Sequence, residues 1–392
     1  MSNPYRVRKA AVLGAGVMGA QIAAHLVNAG VETILFELPA KEGDPNDPVR
    51  KAVEGLKKID PAPLAASSRA ECIQAANYDQ DLARLGECDL VIEAISERMD
   101  WKKSLYEKVA PHLGAQSVFA SNTSGLSINT LASAMPAAHR SRFCGVHFFN
   151  PPRYMHLVEL IACRDTDPEV LDHLEAFLVT TMGKGVIRAK DTPNFIANRV
   201  GVFSILAAFH HTRQFGLGFD EVDALTGSLI GRPKSATYRT ADVVGLDTLA
   251  HVVNTMQETL PGDAWHKYYQ VPDWFRSLLD QKAFGQKTGK GVYHKVGKEI
   301  QVLDADKGGY RLSGREAHES VVAILKNKNP GERYAQLRES SHPQAQFLWA
   351  ALRDMLHYCA VHLESIAENA RDLDLAVRWG FGWNQGPFEI WQ

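Results

Sequence analysis

At 392 residues the chain is too long for one ordinary domain, so two or three are expected. Apolar residues make up 45% and charged residues 22%, which excludes a disordered or fibrous protein. With 43 Lys and Arg against 45 Asp and Glu, the formal net charge is -2, and this excludes a broad cationic face for nucleic acid or anionic lipid.

The five cysteines, Cys72, Cys88, Cys144, Cys163 and Cys359, are odd in number and include no CxxC pair. Neither a disulfide framework nor a metal site is expected, and a reducing compartment is the natural reading. Met1 to Lys9 run straight into an apolar strand with no signal-like segment, and no long apolar run suggests a membrane span. The expectation is a soluble, cytoplasmic protein.

From Arg8 to Lys190 short apolar, β-branched runs alternate with helical stretches, the pattern of a parallel sheet covered by helices. The runs are 9–14, 32–37, 88–95, 117–122, 142–149, 157–162 and 185–190. After the first comes Gly14-Ala15-Gly16-Val17-Met18-Gly19, opening a helix from Ala20 to Ala29. Gly14 permits the tight turn, Gly16 lets the backbone approach a pyrophosphate, and Gly19 lets helix and strand pack closely. Val17 and Met18 complete the phosphate-facing turn at the positive end of the helix. Glu37 ends the second run, 18 residues past Gly19, where a carboxylate accepts from ribose hydroxyls and repels a 2′-phosphate. NAD is therefore favoured over NADP. On these residues alone FAD also fits, and a glycine turn without a ligand is the plain alternative.

Between Pro39 and Tyr78 lies an insertion with two expected helices, one carrying the basic stretch Lys51 to Lys58. Ser121-Asn122-Thr123-Ser124-Gly125 is dense in hydroxyl and amide groups, as suits a loop that binds a polar ligand, although an ordinary Ser/Asn turn has the same composition. His147 ends the run 142–149, on the edge where open sheets bind ligands. Glu159, flanked by Val158 and Leu160, needs a partner to offset desolvation, and an imidazole suits. Such a carboxylate fixes the imidazole tautomer and stabilises the imidazolium of a general base. A structural ion pair is an equal alternative for these two residues alone.

At Asp191-Thr192-Pro193 the pattern changes: Thr192 reads as an N-cap and Pro193 as the first turn of a long helix from Asn194 to Phe215. Asn198 is polar on that apolar helix, which suggests a partner across a cleft or a satisfied buried amide. Helical pattern continues to Lys282, followed by a Gly-rich segment 285–291, a small hairpin over 293–311 and a polar helical linker over 312–345. The stretch from Ala345 looks like a partial copy of the preceding domain. Asp220-Glu221-Val222-Asp223-Ala224 leads to Gly231-Arg232-Pro233, as Asp372-Leu373-Asp374-Leu375-Ala376 leads to Gly386-Pro387-Phe388.

Taken together, VLGAGVMGAQIA, VIEAISE, ASNTSGLSI, GVHFFNPPRYMHLVEL, DTPNFIANR, GRPKSATYRTADVVGLDT and GQKTGKGVY resemble the L-3-hydroxyacyl-CoA dehydrogenase family over Arg8 to Val296. The resemblance implies an α/β Rossmann-type NAD-binding domain over 1–190 and a mostly α-helical, 6-phosphogluconate-dehydrogenase-like domain over 191–296. A linker over 297–344 and a partial second helical copy over 345–392 complete the expected organisation. The tail looks like that of multifunctional fatty-acid oxidation proteins, so fusion to an enoyl-CoA hydratase domain beyond residue 392 is implied, with dimer or pseudo-dimer contacts through the helical domains. The implied reaction is NAD-dependent oxidation of an L-3-hydroxyacyl-CoA substrate. Carried over by position, His147 is the base, Glu159 orients it, and Ser124 and Asn198 donate to the substrate oxygen. Glu97, Lys102, Asn122 and Asn150 fall where the family contacts cofactor or shapes the pocket, and by analogy Lys51, Lys57 or Lys58 are candidates to meet CoA phosphates, with a solvated helix face the plainer reading for any one of them. Three positions depart from the family's usual residues: His156 stands for Lys, Gly125 for Ser and Asn194 for Gly. A dehydrogenase of a small non-CoA hydroxy acid and a catalytically idle NAD-binding structural relative are the two alternatives.

Overall fold

The computed structural model describes residues 6–392. Within them the sheet-forming runs build the first of two compact units, which extends to Phe195 and also takes in Ser365–Glu368. Its strands are β1 (Lys9–Leu13), β2 (Glu32–Glu37), β3 (Ile73–Asn77), β4 (Leu90–Glu93), β5 (Val118–Ser121), β6 (Phe143–Phe148), β7 (Leu157–Ala162) and β8 (Gly185–Ala189). Its helices are α1 (Val17–Asn28), α2 (Asp47–Leu56), α3 (Met99–Val109), α4 (Ile128–Ala132), α5 (Ala137–Arg140) and α6 (Pro168–Thr180). The strands form one sheet in the order β3-β2-β1-β4-β5-β6-β7-β8. β4, β5 and β6 are buried along their whole length, as strands covered on both faces must be. Because β1 pairs in parallel with β2 on one side and β4 on the other, the chain reverses its winding there, and the carboxyl ends splay into a crevice.

Three expectations are corrected. The sheet is not all parallel: β7 runs antiparallel to β6. Only residues 149–156 join the two strands, and a parallel return needs a crossover of about a dozen residues or more. The insertion holds one α-helix, α2, with a 3-10 turn Ser67–Cys72 leading into β3, which pairs in parallel with β2. The run Ile-Gln-Ala-Ala-Asn is poor in β-branched residues, so its strand character comes from that pairing. On α2 the spacing of Val49, Val53 and Leu56 buries one face, and Lys51, Lys57 and Lys58 stand on the exposed side.

The third correction concerns Asp191 to Phe195. The long helix α7 begins at Ala197, with neither Thr192 nor Pro193 in its first turn, and it ends at Phe215. Asn194 and Phe195 adopt positive φ values of 61° and 50°, which no right-handed helix accommodates. The segment is instead tied to the sheet unit. The Asp191 carboxylate accepts from the backbone N–H groups of Ile128 and Asn129 at 2.8 and 2.9 Å and from the Ser127 hydroxyl at 2.9 Å.

The second unit contains α7 (Ala197–Phe215), α8 (Phe219–Thr226), α9 (Tyr238–Val244), α10 (Leu246–Thr259) and α11 (Asp273–Asp280). A three-stranded antiparallel sheet follows, of β9 (Tyr293–Val296), β10 (Glu299–Asp304) and β11 (Gly309–Leu312). After it come α12 (Glu319–Leu325), α13 (Pro330–Glu339), α14 (Pro343–Ile366), α15 (Ala370–Phe381) and α16 (Pro387–Trp391). Inside this unit α14 packs on α7: Asp354 accepts from Tyr268 at 2.8 Å and pairs with His211 at 2.7 Å, while Tyr358 stacks on Phe203 with centroids 3.8 Å apart.

The two similar stretches make the same local connection. Asp223 of α8 accepts from the N–H groups of Thr237, Tyr238 and Arg239 at the start of α9, and Asp374 of α15 accepts from those of Phe388 and Glu389 at the start of α16. Gly218 and Gly386 each donate a backbone N–H to the side chain of a Glu three residues on, which reaches back to accept it at 3.3 and 2.8 Å.

Asp220 of α8 ties down β11. It accepts from Arg311 at 2.6 and 2.9 Å and from the N–H groups of Gly314 and Arg315 at 2.9 and 3.0 Å. Burial pushes its carboxyl up, but those bonds more than reverse this and hold it at about 2, below the ordinary 3.8. A depressed carboxyl stabilises the fold above its unfolded value and loses that contribution as pH falls towards the folded one. Asp220→Asn is therefore expected to cost about 2 kcal/mol at pH 7, with wild type and variant converging between pH 4 and pH 2. Urea denaturation at a series of pH values checks this, and a pH-independent gap would exclude it.

Candidate active site

Because the β6–β7 register pairs His147 with Glu159, their side chains stand on one face of the sheet as directly opposed neighbours. The contact between Nδ1 and Oε2 is 2.8 Å, with Glu159 fully buried and His147 only 3% exposed. A carboxylate can only accept, so Nδ1 donates, and Nε2 is left as the nitrogen able to take a proton. The imidazole leans on Phe149 at 4.5 Å and Phe195 at 5.7 Å between ring centroids, apolar surfaces that keep water from its flanks.

The carboxyl ends of β4 and β5 supply the adjoining loop. Glu93, at the end of β4, is fully buried and accepts from Lys102 at 2.6 Å, Ser121 at 2.7 Å, Tyr106 at 2.8 Å and the Ile95 N–H at 2.8 Å. Lys102 is thus turned inward, with Glu97 its second partner at 3.5 Å. Glu97 gathers the polar loop by accepting from the Thr123 hydroxyl and from the N–H groups of Ser124 and Gly125 at 2.9 and 3.2 Å. Burial raises its carboxyl, and the Lys102 charge with these bonds outweighs that, so it lies below the usual carboxylate range. Asn122 uses its side-chain oxygen to accept from the Phe148 N–H at 2.9 Å, which fastens the loop to the strand carrying His147.

The glycine turn closes the other side of the crevice. Gly14 has φ 105°, and a Cβ there would lie 2.9 Å from the Ala94 carbonyl oxygen. A Cβ on Gly19 would fall 1.8 Å from the Gly14 carbonyl oxygen, whereas around Gly16 there is open space. α1 begins with no side-chain cap, leaving its first N–H groups for another acceptor. Val17 is 68% exposed on this turn, and Met18 is half-buried. Glu37 reaches the turn from β2 and accepts from the Ala15 N–H at 2.8 Å. Asn150 accepts from Gln21 of α1 at 3.3 Å. Asn198 lies in the first turn of α7, in the second unit, and is half-buried. Among the described residues there is no His, Cys, Asp and Glu cluster able to hold a metal ion, and no helix long and apolar enough to cross a membrane.

The model of the 3-hydroxyacyl-CoA dehydrogenase NAD-binding domain matches residues 9–192, and that of the 3-hydroxyacyl-CoA dehydrogenase C-terminal domain matches 195–295. A probable 3-hydroxyacyl-CoA dehydrogenase of Deinococcus radiodurans is 41% identical over 296 residues, 75% of this chain and 84% of that protein. The chain belongs to the 3-hydroxyacyl-CoA dehydrogenase family. Another relative, a probable 3-hydroxyacyl-CoA dehydrogenase of Bacillus subtilis, is 38% identical across 98% of this chain, which spans about half (51%) of that relative's length. The fold is that of the Escherichia coli 3-hydroxybutyryl-CoA dehydrogenase crystal structure, with a TM-score of 0.72 at 22% identity, covering 97% of this chain and 90% of that one.

As a member of this family of NAD-dependent oxidoreductases the chain takes NAD as cofactor, and the crowded Gly14 and Gly19, open Gly16 and uncapped α1 all fit a dinucleotide. Gly125 and Asn194, two positions that the resemblance marked as departures, fit each other. A Cβ on Gly125 would sit 2.6 Å from the Asn194 side-chain oxygen, so the small residue at 125 makes room for the amide at 194. Asn tolerates the left-handed φ at 194 better than any residue but Gly. His156 is exposed just before β7. Sequence reasoning overlooked Glu93, although a carboxylate ending the apolar run Leu-Val-Ile carries the signal that exposed Glu159. It also overlooked Phe149 and Phe195, whose contact with His147 has no local signature.

Gly125→Ser alone is expected to cost about 1–3 kcal/mol by overpacking against Asn194. Adding Asn194→Gly should recover most of that loss, a coupling readable by chemical denaturation of both single variants and the double. Strictly additive effects would mean that the two positions are independent.

Proposed function

We propose that the chain oxidises L-3-hydroxyacyl-CoA to 3-oxoacyl-CoA with NAD, as in fatty-acid β-oxidation, with His147 as general base and Glu159 as its orienting partner. The 2.8 Å contact between the two buried side chains carries this reading. Nε2 of His147 accepts the C3 hydroxyl proton as the C3–H bond breaks, and the imidazolium so formed is stabilised by the Glu159 carboxylate. NAD+ supplies the acceptor for the hydride that leaves C3. Ser124 and Asn198 donate to the substrate oxygen as it becomes a carbonyl, by analogy with the family, and the Phe149 and Phe195 rings favour a dry environment for the transfer.

Gly14, Gly16, Val17, Met18 and Gly19 would hold the pyrophosphate against α1, and Glu37 would accept from the adenosine ribose. Glu97, Asn122 and Asn150 shape the surrounding loops, and Lys102 acts through Glu93 and Glu97. We also propose that the natural protein is a cytoplasmic, larger assembly in which this chain is the dehydrogenase portion, fused to a hydratase-type domain, a reading supported by its covering half of the Bacillus relative. Contacts inside the second unit favour a pseudo-dimer of the two helical stretches: Arg232 lies 4.0 Å over the Trp383 ring, and Asn384 donates to the Gly231 carbonyl at 2.8 Å.

His147→Gln is expected to lower turnover with acetoacetyl-CoA and NADH by about two to four orders of magnitude, with NADH affinity near normal. Glu159→Gln should fall in the same direction, because an amide can neither enforce the tautomer nor offset the imidazolium. An NADH absorbance assay measures both, with free acetoacetate as the comparison substrate. Wild-type turnover in His147→Gln, or a preference for acetoacetate, would defeat the proposal.

A further inference from the structure

Lys102 and Tyr106 stand four residues apart on α3, so they share a helix face, and both reach the same buried carboxylate. Glu93 divides its oxygens between them. Oε1 takes the Lys102 ammonium at 2.6 Å together with the Ile95 N–H at 2.8 Å, and Oε2 takes the Tyr106 hydroxyl at 2.8 Å together with the Ser121 hydroxyl at 2.7 Å. The side chains of Glu93 and Lys102 are 0% and 1% exposed, so water does not compete for either charge.

From this carboxylate two routes lead to Ser124. One is direct: Ser121 ends β5, three residues before Ser124, and its hydroxyl is fixed by Oε2. The other passes through Lys102, whose ammonium lies 3.5 Å from Glu97 Oε2, while Glu97 Oε1 holds the N–H groups of Ser124 and Gly125 at 2.9 and 3.2 Å. Glu93 has the closer contact, so it sets where the ammonium sits, and the ammonium in turn sets the orientation of the Glu97 carboxylate. Without the Glu93 charge the ammonium is left to Glu97 alone, and the flexible lysine stem lets it shift. The Glu97 carboxylate then turns, and the backbone of Ser124 turns with it. Asn122, between the two anchors, accepts from the Phe148 N–H at 2.9 Å, so the loop held in this way is referenced to the residue next to His147.

We propose that Glu93 is a positioning residue for the reaction, which fixes Ser124 relative to His147 by acting through Ser121, Lys102 and Glu97. The inference rests on the function proposed above, because that reading gives Ser124 its role as a donor to the substrate oxygen.

Glu93→Gln keeps the shape and removes the charge. It is expected to lower kcat/KM for acetoacetyl-CoA about tenfold, the equivalent of one misplaced hydrogen bond. Ser124→Ala should lower it about a hundredfold, as for loss of one donor to a developing oxyanion. Because Glu93 acts through Ser124, the double variant should lose no more than Ser124→Ala alone, whereas a residue that merely supports the fold would bring the loss to about a thousandfold. Ser121→Ala leaves the Lys102 contact intact and decides the matter if Glu93→Gln fails to fold. It should lower kcat/KM about threefold and again add nothing to Ser124→Ala. Multiplicative losses in either pairing, or wild-type kcat/KM in Glu93→Gln, would overturn the proposal. Wild-type kcat/KM in Ser124→Ala would overturn it as well, by removing the donor role on which it rests. With Ser124→Ala impaired, multiplicative losses leave that role standing and remove only the part assigned to Glu93.

Discussion

A carboxylate enclosed by apolar strands tolerates its charge only if a partner is fixed beside it, and Glu159 has that partner because β7 turns back against β6. The hairpin register puts His147 directly opposite, so the 2.8 Å contact is held by the ladder of backbone bonds on either side. A one-residue slip would carry either side chain to the other face of the sheet and leave a buried charge alone. The pairing thus constrains the register, and the register constrains the direction in which Nε2 can exchange a proton.

The same device recurs around the crevice. Glu93 holds α3 to β5 through Lys102, Tyr106 and Ser121, Glu97 gathers Thr123 to Gly125, and Asp191 fastens the start of α4. Each carboxylate collects several donors from segments distant in sequence and so joins them, Glu93 a helix to a strand, Glu97 the polar loop and Asp191 a helix start. In the second unit Asp223, Asp242 and Asp374 anchor chain segments in the same manner, Asp242 by accepting from Val292 and Tyr293 at 2.8 Å each. In each unit, irregular segments are thereby held by side-chain bonds where a backbone ladder is absent.

Much of the first unit was readable because periodicity is local. The runs 32–37 and 157–162 coincide with β2 and β7, and the glycine turn sits between β1 and α1 where its spacing demanded. Where reading failed, the deciding contact came from elsewhere in the chain. β3 is a strand through its pairing with β2, and Asn194 and Phe195 take positive φ in a segment whose Asp191 is tied to the start of α4. For Lys102 the resemblance implied a place at the cofactor or pocket, and only the fold reveals the two carboxylates that hold it.

The sequence by itself determined the dinucleotide turn, the family and the identities of the imidazole and its carboxylate, since each depends on residue type and short spacing. Only the tertiary structure decided the antiparallel return of β7, the inward course of Lys102 and the mutual fit of Gly125 with Asn194. Those features depend on which distant segments meet in the fold, and the energy of a buried charge or a close contact is set by that meeting.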